Sequence, residues 1–197
     1  MAYLIRALLI VSLLVSTGCA QTMRTRVNSF RAPEPIVTSA SVAVVPVDSP
    51  QGQSLEFGLY RDLLERALVK QGFTLSSPAQ AQLHALLSYT VNRVADTSDS
   101  GVRSGVIVGS NRGSFGSNVM ILDSARKSGW YERKVGVVLE HNNGERQRVY
   151  EISAQSDGAC GVLSAVVPDM LKALFNEFPM ANGAVKYVSV PVSEKCQ

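Results

Sequence analysis

Residues 131–156 read YERKVGVVLEH, NNG, ERQRVYEISAQS. Two runs with alternating apolar positions flank Asn142-Asn143-Gly144, and an Asn-Gly pair tolerates the positive φ that a tight hairpin turn needs. With Asn143-Gly144 as the turn, Val137 falls opposite Tyr150 and Val135 opposite Ile152. The apolar residues of both runs then share one face, which favours that register. This hairpin sets an antiparallel sheet with a wet side and a dry side.

The flanking sequence builds on it. Upstream, Leu83–Val94 alternates, with Leu83, Ala85, Leu87, Tyr89 and Val91 on one face and His84, Ser88, Thr90 and Asn92 on the other; this predicts a half-buried strand. Ser41–Val47 is nearly all apolar and predicts a buried strand. Between these two, Ser54 can cap a helix over about 55–71. Leu59, Tyr60, Leu63, Leu64, Ala67, Leu68 and Val69 form its stripe, and Gly72 stands where a left-handed residue ends a helix. Downstream, a second helix is expected over about 162–177, with Val167, Leu171, Leu174, Phe175 and Phe178 on one side. Pro168 inside it implies a kink or a later start. The chain turns at Phe178–Gly183, and Val185–Val192 is the last strand, its Pro191 end on a sheet edge. The expected fold is α+β: a mostly antiparallel sheet with two helices packed on one face, in the order β-α-β-loop-β-β-α-β.

The loop in that order is the Gly-rich insertion 96–129. Val106-Ile107-Val108 and Val119–Leu122 flank Asn111-Arg112-Gly113 and could pair, or the whole stretch is a mobile loop. Within it the 101–122 stretch, with its small residues, Arg112 and Phe115, is a candidate contact surface for a partner protein or envelope polymer.

The N-terminus carries an address. Arg6 precedes the short apolar run Ala7–Val15, followed by Ser16-Thr17-Gly18-Cys19. The run is too short to span about 30 Å of hydrocarbon, so 1–18 reads as a signal segment. Gly18-Cys19 resembles the lipobox of bacterial lipoproteins, in which the cysteine receives diacylglycerol. Ser16 departs from it where leucine is usual, and Ser16 with Gly18 also suits ordinary signal cleavage. The resemblance implies a lipidated Cys19 carrying fatty chains such as palmitate. Because Ala20, not Asp, follows, it also implies the periplasmic side of the outer membrane. Residues 19–40 show no apolar period and read as a flexible tether, about 25 Å in typical span. Arg24, Arg26 and Arg31 there either meet anionic lipid or are simply solvated. The remainder, 41–197, is one periplasmic domain of about 155 residues, enough for a single core.

The chain has 3 cysteines. With Cys19 used by lipid, Cys160 and Cys196 are left in an oxidising compartment. A helix of about 24 Å followed by a strand of about 26 Å brings Cys196 back toward Cys160. A disulfide there would stabilise by roughly 3–4 kcal/mol. Unpaired thiols, or a Cys196 bridge to another chain, stay open.

Arg148-Val149-Tyr150-Glu151, Ser156-Asp157-Gly158, Val166–Leu171, Ala173-Leu174-Phe175, Phe178-Pro179 and Asn182-Gly183 together resemble a family of bacterial envelope lipoproteins known only as a domain of unknown function (DUF4136-like). The resemblance extends weakly back to about Val42 and implies fold and compartment, without catalytic residues.

No catalytic constellation emerges. Of the two histidines, His84 lies on a strand and His141 beside a hairpin tip, neither with a patterned partner. There is no GxSxG and no phosphate loop. The cysteine pattern gives no zinc site, and Asp96 with Asp99 lacks the other ligands for calcium. Glu132, Glu140, Glu151 and Asp157 could pair as carboxylates, but alternating strands put them toward water. A net charge of +3 spread along the chain gives no nucleic-acid stripe. The sequence therefore predicts a membrane-anchored envelope lipoprotein, non-enzymatic and without cofactor or metal, acting in binding or assembly. The alternatives are a hydrolase or transferase with an unrecognised carboxylate site, or a lipid or glycan carrier.

Overall fold

The computed structural model describes residues 21–94 and 129–193. The expected short strands at 106–108 and 119–122 lie outside them. The described residues form an α+β domain on one seven-stranded mixed sheet. Its strands are β1 (Thr22–Arg31), β2 (Ser41–Pro46), β3 (Thr74–Leu75), β4 (Leu83–Val94), β5 (Trp130–His141), β6 (Arg148–Gly158) and β7 (Val185–Pro191). The helices are a single turn α1 (Ser49–Gly52), α2 (Leu55–Lys70) and α3 (Leu163–Leu174). The sheet order is β3-β2-β4-β5-β6-β1-β7. β2 pairs parallel with both β3 and β4; every other pairing is antiparallel.

The sheet is mostly antiparallel, as expected, with a first correction: it is not purely so, since β2 runs parallel to β3 and β4. A strand, a helix and a strand laid beside the first require a crossover, and a crossover returns the chain parallel. The helix α2 makes that crossover. Ser54 Oγ accepts from the amides of Glu56 and Phe57 at 3.1 and 3.3 Å. At the other end Gly72 adopts φ +100°. Its amide bonds Val69 O and that of Phe73 bonds Leu68 O, the paired closure that a left-handed residue makes available. The buried stripe is narrower than the sequence suggests: Phe57, Tyr60, Leu64 and Leu68 face the core, whereas Leu59 and Val69 are half-exposed.

The second correction is β1. Residues 22–31, expected within the tether, are an inner strand between β6 and β7. Met23, Thr25, Val27 and Ser29 face inward and are buried, while Arg24 and Arg26 face outward. The period is that of a strand; two hydroxyl residues on the buried face hide it. Those small side chains lie under α3, which packs on β1, β5, β6 and β7.

The hairpin is present, with its register moved by two residues. Val137 pairs with Ile152 and Leu139 with Tyr150, and an irregularity follows Leu139. A shift of two leaves each side chain on its face, so the apolar sides still coincide. The connection is longer than an Asn-Gly turn: His141 N bonds Gln147 O at 2.9 Å, and the positive φ falls on Arg146 at 48°, not on Gly144. Asn142 explains this. Its Nδ2 donates to Pro78 O and Ala81 O at 3.0 and 2.9 Å, tying the strand end to the approach of β4 instead of a tight turn.

α3 runs without interruption through Pro168 and stops at Leu174, short of the expected end. Its residues are buried almost all round, and Phe175 and Phe178 continue the core beyond it. Phe178 stacks edge-on against Tyr150 at 5.1 Å, and the Tyr150 hydroxyl accepts from Met180 N at 3.0 Å. β7 is an edge strand, as Pro191 implies.

Candidate functional site

Of the residues marked by the sequence, Cys19, Arg112, Phe115 and Cys196 lie outside the described residues. Cys160 is described: it is partly buried against the core, between β6 and α3. No group of three or more His, Cys, Asp or Glu stands close enough to hold a metal among the described residues, and no helix among them is long and apolar enough to cross a membrane.

The four strand carboxylates all lie on the outward face, split into two separated pairs. Glu132 stands opposite Asp157 on β6. It is bound by Lys134 Nζ at 2.8 Å and Gln155 Nε2 at 2.7 Å. Near the other end Glu151 is bridged by Arg148 at 2.8 Å. Glu140 departs from the expectation of a wet carboxylate: it is 6% exposed. Cross-strand from His84, it lines a shallow hollow of about 290 Å³ with Asp48 and Arg146. His84 Nε2 is 2.9 Å from Pro78 O, which fixes its ring.

The next residue, His141, points to the opposite face and a larger groove of about 430 Å³. Ile36, Val37, Leu83 and Val149 form its apolar wall, with Glu34 and His141 at its polar side. The groove exists because the β1–β2 connection crosses over the end of β4 and β6. Its size lies within the range of small-ligand sites. Two of its other polar residues are committed to the fold: Gln82 Oε1 accepts from Ser41 N, and Asn142 donates to two carbonyls.

Two buried polar features escaped the sequence reading. Arg133, on the inward face of β5, is buried; desolvation lowers its pKa, with nearby Asp157 opposing. Its Nε reaches Ser156 O at 3.5 Å and its Nη1 Cys160 O at 3.3 Å. Beside it stand Ser156 and, cross-strand, Thr25, whose hydroxyls find no partner among the described residues. The second is Asp169, 1% exposed on α3. Burial alone would raise its carboxyl pKa. Lys172 and both the hydroxyl and the amide of Ser193 outweigh that and hold it below the usual range. Ser193 N is 2.7 Å from one oxygen, Lys172 Nζ 2.8 Å from the other. The segment after β7 is thereby clipped to α3. An acid inside the run Val166–Leu171 was the one sequence signal for it.

At the end of the sheet where β1 starts, several apolar side chains reach solvent. Val94 pairs with Trp130, and Arg93 with Tyr131. Tyr131 pairs with Gly158. Trp130 is 54%, Val162 49% and Val94 45% exposed. Tyr131 is wedged between two glycines: a Cβ on Gly161 would lie 2.7 Å from its ring and one on Gly129 3.0 Å from its hydroxyl. Val192 N bonds Gln21 O at 2.8 Å, fixing Gln21 to the same end.

These features define a class: an α+β domain with helices over one sheet face, a groove at one end and an apolar rim at the other. No family model and no curated protein matches the chain. Among solved structures it is similar to a PDZ domain protein from Parabacteroides distasonis, at 10% identity and TM-score 0.54 over 92% of this chain. The likeness is one of fold, and the chain spans 42% of the length of that protein. Two structures of the PelC dodecamer from Paraburkholderia phytofirmans align at 12% identity. One has a TM-score of 0.38 and covers 75% of this chain and 91% of that one; the other has 0.39, 76% and 94%.

Proposed function

We propose that the chain is a lipid-anchored component of a bacterial cell envelope, acylated at Cys19 and engaged in binding or assembly. The observation that carries this reading is the N-terminal sequence: a basic start, a short apolar run, and Gly18-Cys19 after small residues. The resemblance of 148–183 to envelope lipoproteins of unknown function supports it, and Ala20 favours the outer membrane. The binding role draws support from two features. The edge strand β7 presents exposed Val185 and Tyr187, and an open edge is a template for strand addition. The groove between the β1–β2 connection and the sheet offers an apolar wall with Glu34 and His141; it favours, as a second reading, a carrier of small amphipathic molecules.

The test is metabolic labelling with palmitate in a Gram-negative host, followed by membrane fractionation. The full chain is expected to take up label and to sediment with outer membranes. Cys19→Ser should lose the label and move to the soluble periplasmic fraction. An unlabelled wild-type chain, or a Cys19→Ser variant that keeps its label, overturns the reading.

A further inference from the structure

We infer that the end of the sheet bearing Val94, Trp130, Tyr131 and Val162 seats in the headgroup region of the bilayer that holds Cys19. The inference rests on the lipoprotein reading and adds an orientation to it. Gln21 is bound to Val192 at that end, and only Ala20 separates it from Cys19. At about 3.5 Å per residue, the Cys19 Cα lies no further than roughly 7 Å from Gln21. An acylated cysteine has its chains in the hydrocarbon and its backbone at the interface. The chain between anchor and sheet is therefore short, and it holds the end of the sheet where β1 starts close to the membrane.

The residues facing that short gap suit an interface. Gly158, Tyr131 and Arg93 fall in one row across β6, β5 and β4; Trp130 and Val94 form the next row outward. The Gly161 approach to the Tyr131 ring places neighbouring Val162 beside them. Indole and phenol rings, with an apolar body and a polar tip, favour the headgroup level, and an adjacent arginine can meet lipid phosphate. Arg93 supplies that cation and is exposed. The carboxylates of this end, Glu132 and Asp157, lie on the outward face one row further in, and Glu132 is already bridged by Lys134.

Trp130 is the only tryptophan in the chain, so intrinsic fluorescence reports on this end alone. The acylated full-length protein is reconstituted in vesicles of phosphatidylethanolamine and phosphatidylglycerol, with and without bromine on the lipid chains. A second reporter, Val185→Trp with Trp130→Phe, places the indole on an exposed position at the opposite end of β7. For the wild type, emission is expected to move to shorter wavelength on reconstitution and to be quenched by brominated chains. The Val185 reporter should keep the emission of an indole in water and escape quenching. Floating, diacylated protein whose Trp130 stays water-like and unquenched overturns the orientation and leaves the lipid anchor standing. Equal quenching of both reporters also overturns it, by showing adsorption without a preferred end. A chain that neither floats nor carries the diacylglycerol mass overturns both.

Discussion

Replacing Asp169 by Asn should cost about 3 kcal/mol at neutral pH, and that cost should fade in acid. The native carboxylate is 1% exposed and receives three donors: the amide and hydroxyl of Ser193 and the ammonium of Lys172. Hydrogen bonds to a buried charge contribute about 1.5–3 kcal/mol each. The Lys172 side chain is 58% exposed, so its ion pair is discounted to under about 1 kcal/mol. Asn keeps one acceptor for Ser193 and turns an NH₂ toward the remaining donors, losing one strong bond and the ion pair and leaving a buried mismatch. The sum is about 2–4 kcal/mol. For a chain of this length a loss of about 3 kcal/mol lowers Tm by roughly 6–12 °C.

The pH sign follows from the depressed carboxyl. A group whose folded pKa lies below its unfolded value contributes fully above the unfolded value, about 3.9 for Asp. That contribution is lost as pH falls toward the folded value. The gap between wild type and D169N should therefore be constant from neutrality to about pH 5 and shrink below about pH 4. Urea unfolding followed by circular dichroism across that range measures it. A gap under about 1 kcal/mol at neutrality, or one that does not shrink in acid, refutes the role given to Asp169.

Other substitutions probe other parts of the fold. Thr25→Val removes a buried hydroxyl that finds no partner among the described residues and should leave stability unchanged or raise it by up to about 1 kcal/mol in urea titration; a loss above about 1 kcal/mol would show that the hydroxyl is satisfied. Tyr150→Phe deprives the Met180 amide of its acceptor and should cost about 1–2 kcal/mol by thermal denaturation. Gly72→Ala forces a Cβ into φ +100° and should cost about 1–2 kcal/mol. For the cysteines, Ser193 is anchored beside Asp169, and three further residues reach about 10 Å, close to the helical rise from Asp169 back to Val162. Non-reducing peptide mass mapping of exported protein should therefore find Cys160 linked to Cys196, and Cys160→Ser should lower stability by roughly 3–4 kcal/mol. Recovery of both as alkylated thiols without reduction excludes the bridge.

Where one residue carries a local signal, the sequence is easy to read. Ser54 and Gly72 bracket α2 because capping needs only neighbouring backbone. The alternation of Leu83–Val94 marks β4 because its inward positions there are strongly apolar. β1 hides because Thr25 and Ser29 take inward positions that α3 covers, and hydroxyl residues read as surface in one dimension. The hairpin faces were legible and its register was not: Asn142 is held by carbonyls of Pro78 and Ala81, far away in sequence. The same reason hides the groove, whose walls come from 34–37, 82–83 and 141–149. Arg133 gives no pattern of its own, since its burial depends on the carbonyls of Ser156 and Cys160.

The place of β1 also bears on when the sheet can be completed. Among the described strands β1 comes first and pairs with β6 and β7, so contacts such as Arg26 to Gln155 join residues 129 positions apart. Until residues 148–158 have been made, β1 has no sheet neighbour among the described strands. Closure waits for the last strand to be synthesised, and such distant pairing is slow to find.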